Sequence, residues 1–436
     1  MKKLLALILS LLMLLSLSAC GSSDTKPEAE PAQDGSAAST APQASDVVEI
    51  TIDSWRTDDI AAWEDVIIPA FEASHEGIKV KFNAINNLEY TTVLTTRIQG
   101  GAAGDIIMCE PYDSRISLYT DGYLANLNEI DGLETEGIYE DFALSAWSTD
   151  DGDLYGLPLA AVSHGFLYNK TVFDQLGLEI PDTVDEFFQL CEKIKEAGYT
   201  PIALGAAEEW IPNVYAYSIV CPTFTKGEEG RQGLINGTAS FTDQGFVEAF
   251  QFIEDWIPYL PEGYAALGSS DMYTMFATQQ CLMMPAGSWD ISVMDNMIQG
   301  SFEFGAFPVP DAGYGKYVCF HPDNALSLNT ASANMDAAIE FLKWTTTEEF
   351  AQLMANALSG FYPMSTYPVT IDNAVANEML SWASTLDGAS PRVAYQYISR
   401  DFNTDNEIAR VTTLMLLGEM DAQTAAETLQ NNFSAG

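Results

Sequence analysis

The chain has 436 residues, with 62 Asp and Glu against 18 Lys and Arg, a formal charge of −44 at pH 7. That length predicts two or three domains, and a hydrophobic content of 47% supplies real cores, which excludes a disordered acidic tail protein. The excess of carboxylates repels phosphate, which excludes nucleic acid and anionic lipid head groups as partners.

Met1-Lys2-Lys3 is a short basic start, and Leu4 to Leu17 is nearly all Leu, Ala, Ile and Met. The run is too short to span a bilayer well and reads as the apolar region of a signal peptide, residues 1–19. It ends Leu17-Ser18-Ala19-Cys20-Gly21, which resembles the lipobox of bacterial lipoproteins. That resemblance implies cleavage before Cys20 and acylation of its thiol, with more than one acyl chain and therefore stable anchoring. The alternative is an ordinary secretory signal cut near Ala19, with Cys20 incidental. The rest of the segment 20–46 is rich in Ser, Ala, Pro and Asp without hydrophobic pattern, and is expected to be a disordered tether. Five further cysteines, at 109, 191, 221, 281 and 319, form no CxxC or Cys/His zinc pattern. Most are expected as small buried hydrophobes, with one disulfide left open.

Beyond the tether the pattern alternates between periods. Val47 to Asp53 reads as a strand; Ile60, Trp63, Ile67, Ala70 and Phe71 recur at helical spacing; Ile78, Val80 and Phe82 alternate again. Tyr90 to Ile98 predicts a helix and Asp105 to Met108 a short buried strand. This order predicts βαβ units and a mostly parallel sheet. Phe166 to Tyr168 is a strand candidate. Thr183 and Glu186 form a capping box before a helix carrying Phe187, Leu190, Cys191 and Ile194. Further helices are predicted around Phe246 to Trp256 and Met335 to Leu342, and strands at Leu282 to Met284 and Phe304 to Val309. There is no internal repeat and no second apolar run long enough to span a bilayer.

Catalytic signatures are missing. His75, His164 and His321 are far apart in sequence and sit in no metal-ligand spacing, and there is no Walker A, complete GxGxxG or GxSxG motif. Gly100 to Gly104 precedes a strand, so it reads as a turn rather than a phosphate cradle. Asp150, Asp151 and Asp153 crowd one loop without EF-hand spacing. A glycosidase needs two carboxylates at a set separation, which 62 acids neither nominate nor reject.

Several stretches, in order, resemble the extracellular solute-binding proteins of bacterial ABC importers, family 1, the group of maltose-type sugar-binding lipoproteins. They are Ile52 to Trp55, Ile67 to Glu72 with His75 to Val80, Gly100 to Ile106, Tyr155 to Pro158 with Leu167 to Lys170, Ile180 to Phe187, Lys195 to Gly205, Met283 to Asp290 and Phe304 to Pro310. Gly104 stands where the family commonly has Pro, and Val184 where Trp is usual. The resemblance implies an α/β fold of two lobes, the type II periplasmic-binding-protein fold, joined by hinge crossings near Pro158, Pro308–Pro310 and Gly360. Lobe 1 would be 47–158 plus 311–359, and lobe 2 would be 159–310 plus 360–436. Ligands favour clefts between such domains. The implied function is capture of a carbohydrate, an oligosaccharide above all, by a monomer anchored on the extracellular face of the cytoplasmic membrane (periplasmic in a diderm). Hinge closure would deliver the sugar to membrane permease subunits, with no enzyme activity, cofactor or metal. The alternatives are a secreted carbohydrate-active hydrolase and the same receptor fold for a non-sugar solute.

Sugars present apolar CH faces to aromatic rings and hydroxyl rims to carboxylates and amides. Trp210, in a loop after Glu208-Glu209, and Trp289, at a strand end in the "GSWD" stretch, are the first candidates for cleft contacts; surface pinning and core packing are their alternatives. Trp55 also ends a strand. Asp59 follows it and would otherwise cap the helix at Ile60. Glu110 follows the strand ending at Met108. Ser163 and His164 lie between the first crossing and the next strand, and Asp323 and Asn324 follow the second crossing. Tyr90 and Phe361 complete the set, with packing as their alternative.

Overall fold

The structure is a computed structural model that describes residues 47–112, 115–395 and 403–435; the signal peptide, Cys20 and the tether lie outside the described residues. β1 (Val48–Ser54) pairs in parallel with both β2 (Ile78–Ala84) and β3 (Ile106–Cys109). Ile50 and Ile52 alternate on the buried face of β1, as period-two patterning requires. The intervening chain is helical, so the expected βαβ start is present. One detail differs. A π-helical turn at Trp63–Ile67 shifts the buried face, so Trp63, Ile67, Ile68 and Phe71 are inside while Ile60 is exposed.

The remaining strands are β4 (Leu157–Asn169), β5 (Thr200–Ile202), β6 (Cys281–Gly287), β7 (Phe304–Phe307), β8 (Tyr317–Leu328), β9 (Tyr362–Pro363) and β10 (Gly388–Ser390). The order is β2-β1-β3-β8-β4-β6-β5, with β7 and β9 also on β4 and β10 on β8. The sheet is therefore mixed rather than mostly parallel. β8 enters antiparallel to β3, and β4 antiparallel to β8, β6 and β7. Both long strands serve two half-sheets: β4 pairs with β8 over Leu157 to Ser163 and with β6 over His164 to Tyr168. The boundaries expected at 158, 310 and 359 fall at the start of β4, between β7 and β8, and just ahead of β9.

The capping box is formed. Thr183 Oγ1 accepts from Glu186 N at 3.3 Å, and Glu186 Oε2 accepts from Thr183 N at 3.2 Å. The helix Val184–Glu196 buries all four predicted apolar residues, and Phe187 packs with Phe166, Phe252 and Trp256. Each such side chain contributes roughly 1.5–3 kcal/mol on burial. The five described cysteines are free and buried. Among the described residues no helix is long and apolar enough to cross a membrane.

Two fastenings hold the crossings. Ser288, just after β6, donates its N–H to Ser163 O at 2.7 Å, accepts Ser163 N–H on Oγ at 3.0 Å, and donates Oγ–H to Gly360 O. The second is a histidine pair. His164 on β4 and His321 on β8, distant in sequence, meet through their Nε2 atoms at 2.9 Å. His321 Nδ1 lies 2.5 Å from Pro322 O and must donate there, so its Nε2 carries the lone pair. That lone pair accepts from Arg392 Nε at 3.1 Å and from His164 Nε2–H. A proton on His321 Nε2 would face the two donors already aimed at it, and one on His164 Nδ1 would be a buried charge with no acceptor. Burial, then the neighbouring His321 and Arg392 charges, hold His164 well below the usual histidine range; burial and Arg392 do the same to His321.

Two outcomes follow from these fastenings. Gly360 has φ +93°, and a Cβ there would lie 1.8 Å from Ser288 O. Gly360→Ala should cost about 2 kcal/mol or more in urea unfolding, and an unchanged midpoint would refute the constraint. The histidine sign runs toward acid lability. A folded pKa below the unfolded value of ~6.5 adds stability that is present above that pH and lost as pH falls through it. The unfolding midpoint should drop between pH 7.5 and 5.0, and drop less in His164→Gln; parallel pH curves for the two proteins would contradict the assignment.

Candidate functional site

Successive residues of a strand point to opposite faces, so Ser163 and His164 cannot share one surface. His164 lies on the face with His321, and Trp289 meets its ring edge-on at 5.0 Å. Ser163 is fully buried on the other face, its Oγ–H donated to Met379 O in the helix Ala374–Thr385. Ser163 is thus a fold residue, and its expected ligand contact is withdrawn. Tyr90 is corrected in the same way. It is 1% exposed, and its hydroxyl reaches the carbonyl oxygens of Met108 at 2.7 Å and Asp53 at 3.2 Å, fixing the strand ends from behind.

The remaining candidates fall into two groups, one linked to Asp323 and its arginines and one linked to Trp289. On the β1–β3 side, Trp55 directly follows β1, is partly exposed, and leans on the Tyr90 ring at 5.5 Å. Glu110 follows β3 and is gripped in bidentate fashion by Arg115, Nε to Oε2 at 2.5 Å and Nη2 to Oε1 at 2.8 Å. Asp59 is gripped likewise by Arg56, Nε to Oδ2 at 2.7 Å and Nη2 to Oδ1 at 3.1 Å. The Asp59 side chain caps no helix. The Arg56 guanidinium lies 4.9 Å over the Phe361 ring, which is itself buried. Burial opposes the charge on Arg56, yet Asp59 raises its pKa overall.

Asp323 sits at the centre, on β8. Burial raises its carboxyl, opposed by Arg56 and Arg392 from two directions, with Asp59 and Glu110 also in electrostatic reach. Asn324 is buried; its Nδ2 donates to Asp323 Oδ2 at 3.3 Å, while its Oδ1, like His164 Nδ1, meets no partner among the described residues. Both are acceptors that bound water or a ligand hydroxyl would satisfy.

The second group is aromatic. Trp210 opens a helical run instead of lying in a loop, and its Nε1–H donates to Glu208 Oε2 at 2.7 Å. Its ring lies 5.4 Å from Tyr215, which in turn lies 6.0 Å from Trp289. Trp210 keeps exposed surface, whereas Trp289 is 7% exposed. A groove of about 340 Å³ opens beside this group, between Asp58 and residues of two helices that include Tyr273 and Asn296.

Sequence reading missed Arg56, Arg115, Arg392, Tyr215, Tyr273 and Asp290. The signal for Asp290 was present, as the last letter of the "GSWD" stretch. It also missed that the fold unites two histidines. One trio among the described residues has metal-ligand atoms within 4.8 Å of one another, His164, Cys319 and His321. Arg392 already donates a cationic N–H to the His321 lone pair that an ion would need, and burial pushes the Cys319 thiol up to about 12.

Known proteins resemble this chain in sequence and in fold. The family described as bacterial extracellular solute-binding protein matches residues 53–352. The multiple sugar-binding protein of Streptococcus mutans is 26% identical over 367 residues, 80% of this chain and 82% of that one. A maltooligosaccharide ABC transporter solute-binding lipoprotein of Streptococcus pneumoniae is 24% identical over 345 residues, 77% of this chain and 74% of the relative. Among solved structures, the solute-binding protein RafE in complex with raffinose superposes with a TM-score of 0.73 at 23% identity, covering 89% of this chain and 99% of its own. A chitin oligosaccharide binding protein gives 0.74 at 20% identity, covering 88% and 98%. The chain belongs to the bacterial extracellular solute-binding protein family and has its two-lobed type II α/β fold.

Proposed function

We propose that this protein captures a carbohydrate, preferentially an oligosaccharide, between its lobes and hands it unchanged to the permease subunits of an ABC importer. The observation that carries the reading is the trio Asp59, Glu110 and Asp323 in electrostatic reach of one another, two of them gripped by arginines, to which we assign Trp55, Trp210 and Trp289 as the rings of the same cleft. A carboxylate held by a guanidinium keeps lone pairs free for sugar hydroxyls, and the rings cover CH faces. Asn324 and His164 supply further acceptors, and Phe361 backs the Arg56–Asp59 pair. The names of the relatives, sugar-binding and maltooligosaccharide-binding, support the substrate class.

The lobes of this reading are 47–158 plus 311–359 and 159–310 plus 360–436, moving about the crossings. A sugar touching both lobes favours the closed form by its extra contacts. The chain acts as a monomer tethered by acylated Cys20 on the extracellular face of the cytoplasmic membrane. It performs no chemistry on its cargo.

Purified protein titrated with maltotriose, raffinose, chitotriose and xylotriose should bind at least one of them stoichiometrically, and chromatography should return the sugar unchanged. Turnover would replace this reading with a hydrolase; no binding by any of the four would remove the substrate class. Trp210→Ala and Trp289→Ala should each weaken that binding by about 1 kcal/mol or more. Unchanged affinity in both would remove the indole wall from the site.

A further inference from the structure

Asp290 begins the helix Asp290–Ile298 and has no exposed surface. Its carboxyl gathers three separate elements. Oδ2 accepts the N–H of Gly287 at the end of β6, at 3.0 Å. Oδ1 accepts the hydroxyl of Tyr215, from the π-helical turn Pro212–Tyr217, at 3.0 Å, and that of Tyr273, from the helix Ser269–Ala277, at 2.8 Å. Tyr215, with its own proton committed to Asp290, accepts the indole N–H of Trp289 at 3.1 Å. Its ring also backs Trp210. The Trp289 indole folds over Gly287 so closely that a Cβ there would lie 2.1 Å from the ring. The indole plane is thus set by a glycine beneath it and by one hydrogen bond, and Asp290 fixes the direction of that bond.

We propose that Asp290 is a positioning residue that, through Tyr215 and Tyr273, locks the Trp289 and Trp210 rings into one orientation and so selects which sugar faces the wall accepts. This rests on the reading of the cleft as a carbohydrate site. The carboxyl lies inside the lobe, where it orients the rings without needing to touch the sugar. Three donors fill the two oxygens, which suits the ionised form; a proton on Asp290 would point at the Gly287 N–H or at one of the tyrosines and loosen the cluster. The titratable and charged groups facing Asp290 among the described residues are Tyr215, Tyr273 and, from the loop after β1, Arg56. Burial pushes the Asp290 carboxyl up to about 7, so the brace loosens on mild acidification.

The test uses the full protein and whichever of maltotriose, raffinose, chitotriose and xylotriose the wild type binds. Tyr215→Phe keeps the ring and removes the hydroxyl; Asp290→Asn removes the charge; Tyr273→Phe removes one donor and leaves the indole its acceptor. Affinity should fall about tenfold or more in Tyr215→Phe and Asp290→Asn and less in Tyr273→Phe. The near-UV circular dichroism of the tryptophans should change in parallel. Wild-type affinity should weaken from pH 8.5 to 5.5 with a midpoint near 7, and this slope should be absent in Asp290→Asn. Variants with lowered melting temperature but unchanged affinity, ring dichroism and pH slope would overturn the proposal. If Tyr215→Phe fails to fold, Asp290→Asn and Tyr273→Phe decide by the same readouts. Absence of binding in the wild type would instead overturn the carbohydrate reading.

Discussion

β4 and β8 run antiparallel from the pair Leu157–Leu326 to the pair Ser163–Phe320, and everything that matters for the cleft hangs on that ladder. One end of β8 continues onto β3, and the far end of β4 continues onto β6 and β7. The two half-sheets are therefore tied by main-chain hydrogen bonds that can bend but cannot slip. A slip of β8 by one residue would turn His321 away from His164 and bring Phe320 to the face His164 occupies. The irregularity near Pro158 and Ala160 lets Pro322 sit opposite Ala161 without leaving a broken ladder in mid-strand.

The same pairing explains the electrostatics of a chain with a charge of −44. Acidic residues dominate the sequence, yet the ladder and its flanking loops bring Arg56, Arg115 and Arg392 to one place, against the rings of Phe361, Tyr90 and Tyr395 respectively. Guanidiniums can be buried there because each finds a planar partner and an acceptor: Asp59, Glu110 and His321. Bidentate pairs of this kind orient carboxylates firmly, and loss of one partner would leave a costly buried charge. The outcome is a cluster of carboxylates and guanidiniums around Asp323.

Much of the architecture was legible beforehand, and the gaps have physical causes. The βαβ start, the capped helix after Thr183 and the strands near residues 283 and 305 carry clear periods, so they were read correctly. β4 was seen only at Phe166 to Tyr168, because a strand buried on both faces shows no alternation. β8 was missed because Pro322 argues against a strand unless a register shift is known. The terminal helices Ala374–Thr385, Thr404–Leu416 and Ala422–Ala435 were not assigned. Of the candidate site, Trp55, Asp59, Glu110, Trp210, Trp289, Asp323, Asn324 and Phe361 rest on motif order and strand ends, and their contact with a ligand is proposed. Ser163 and Tyr90 were misplaced because spacing along a chain does not say which face a side chain takes. The arginines and the Asp290 brace were invisible because their partners are distant in sequence.

Small-angle scattering tests the central claim, that a sugar closes two lobes about the β4–β8 ladder. On addition of saturating maltotriose, raffinose, chitotriose or xylotriose, whichever binds, the radius of gyration should shrink, and it should return when the sugar is dialysed away. A bound sugar with no change in dimensions would contradict a cleft that works by closure.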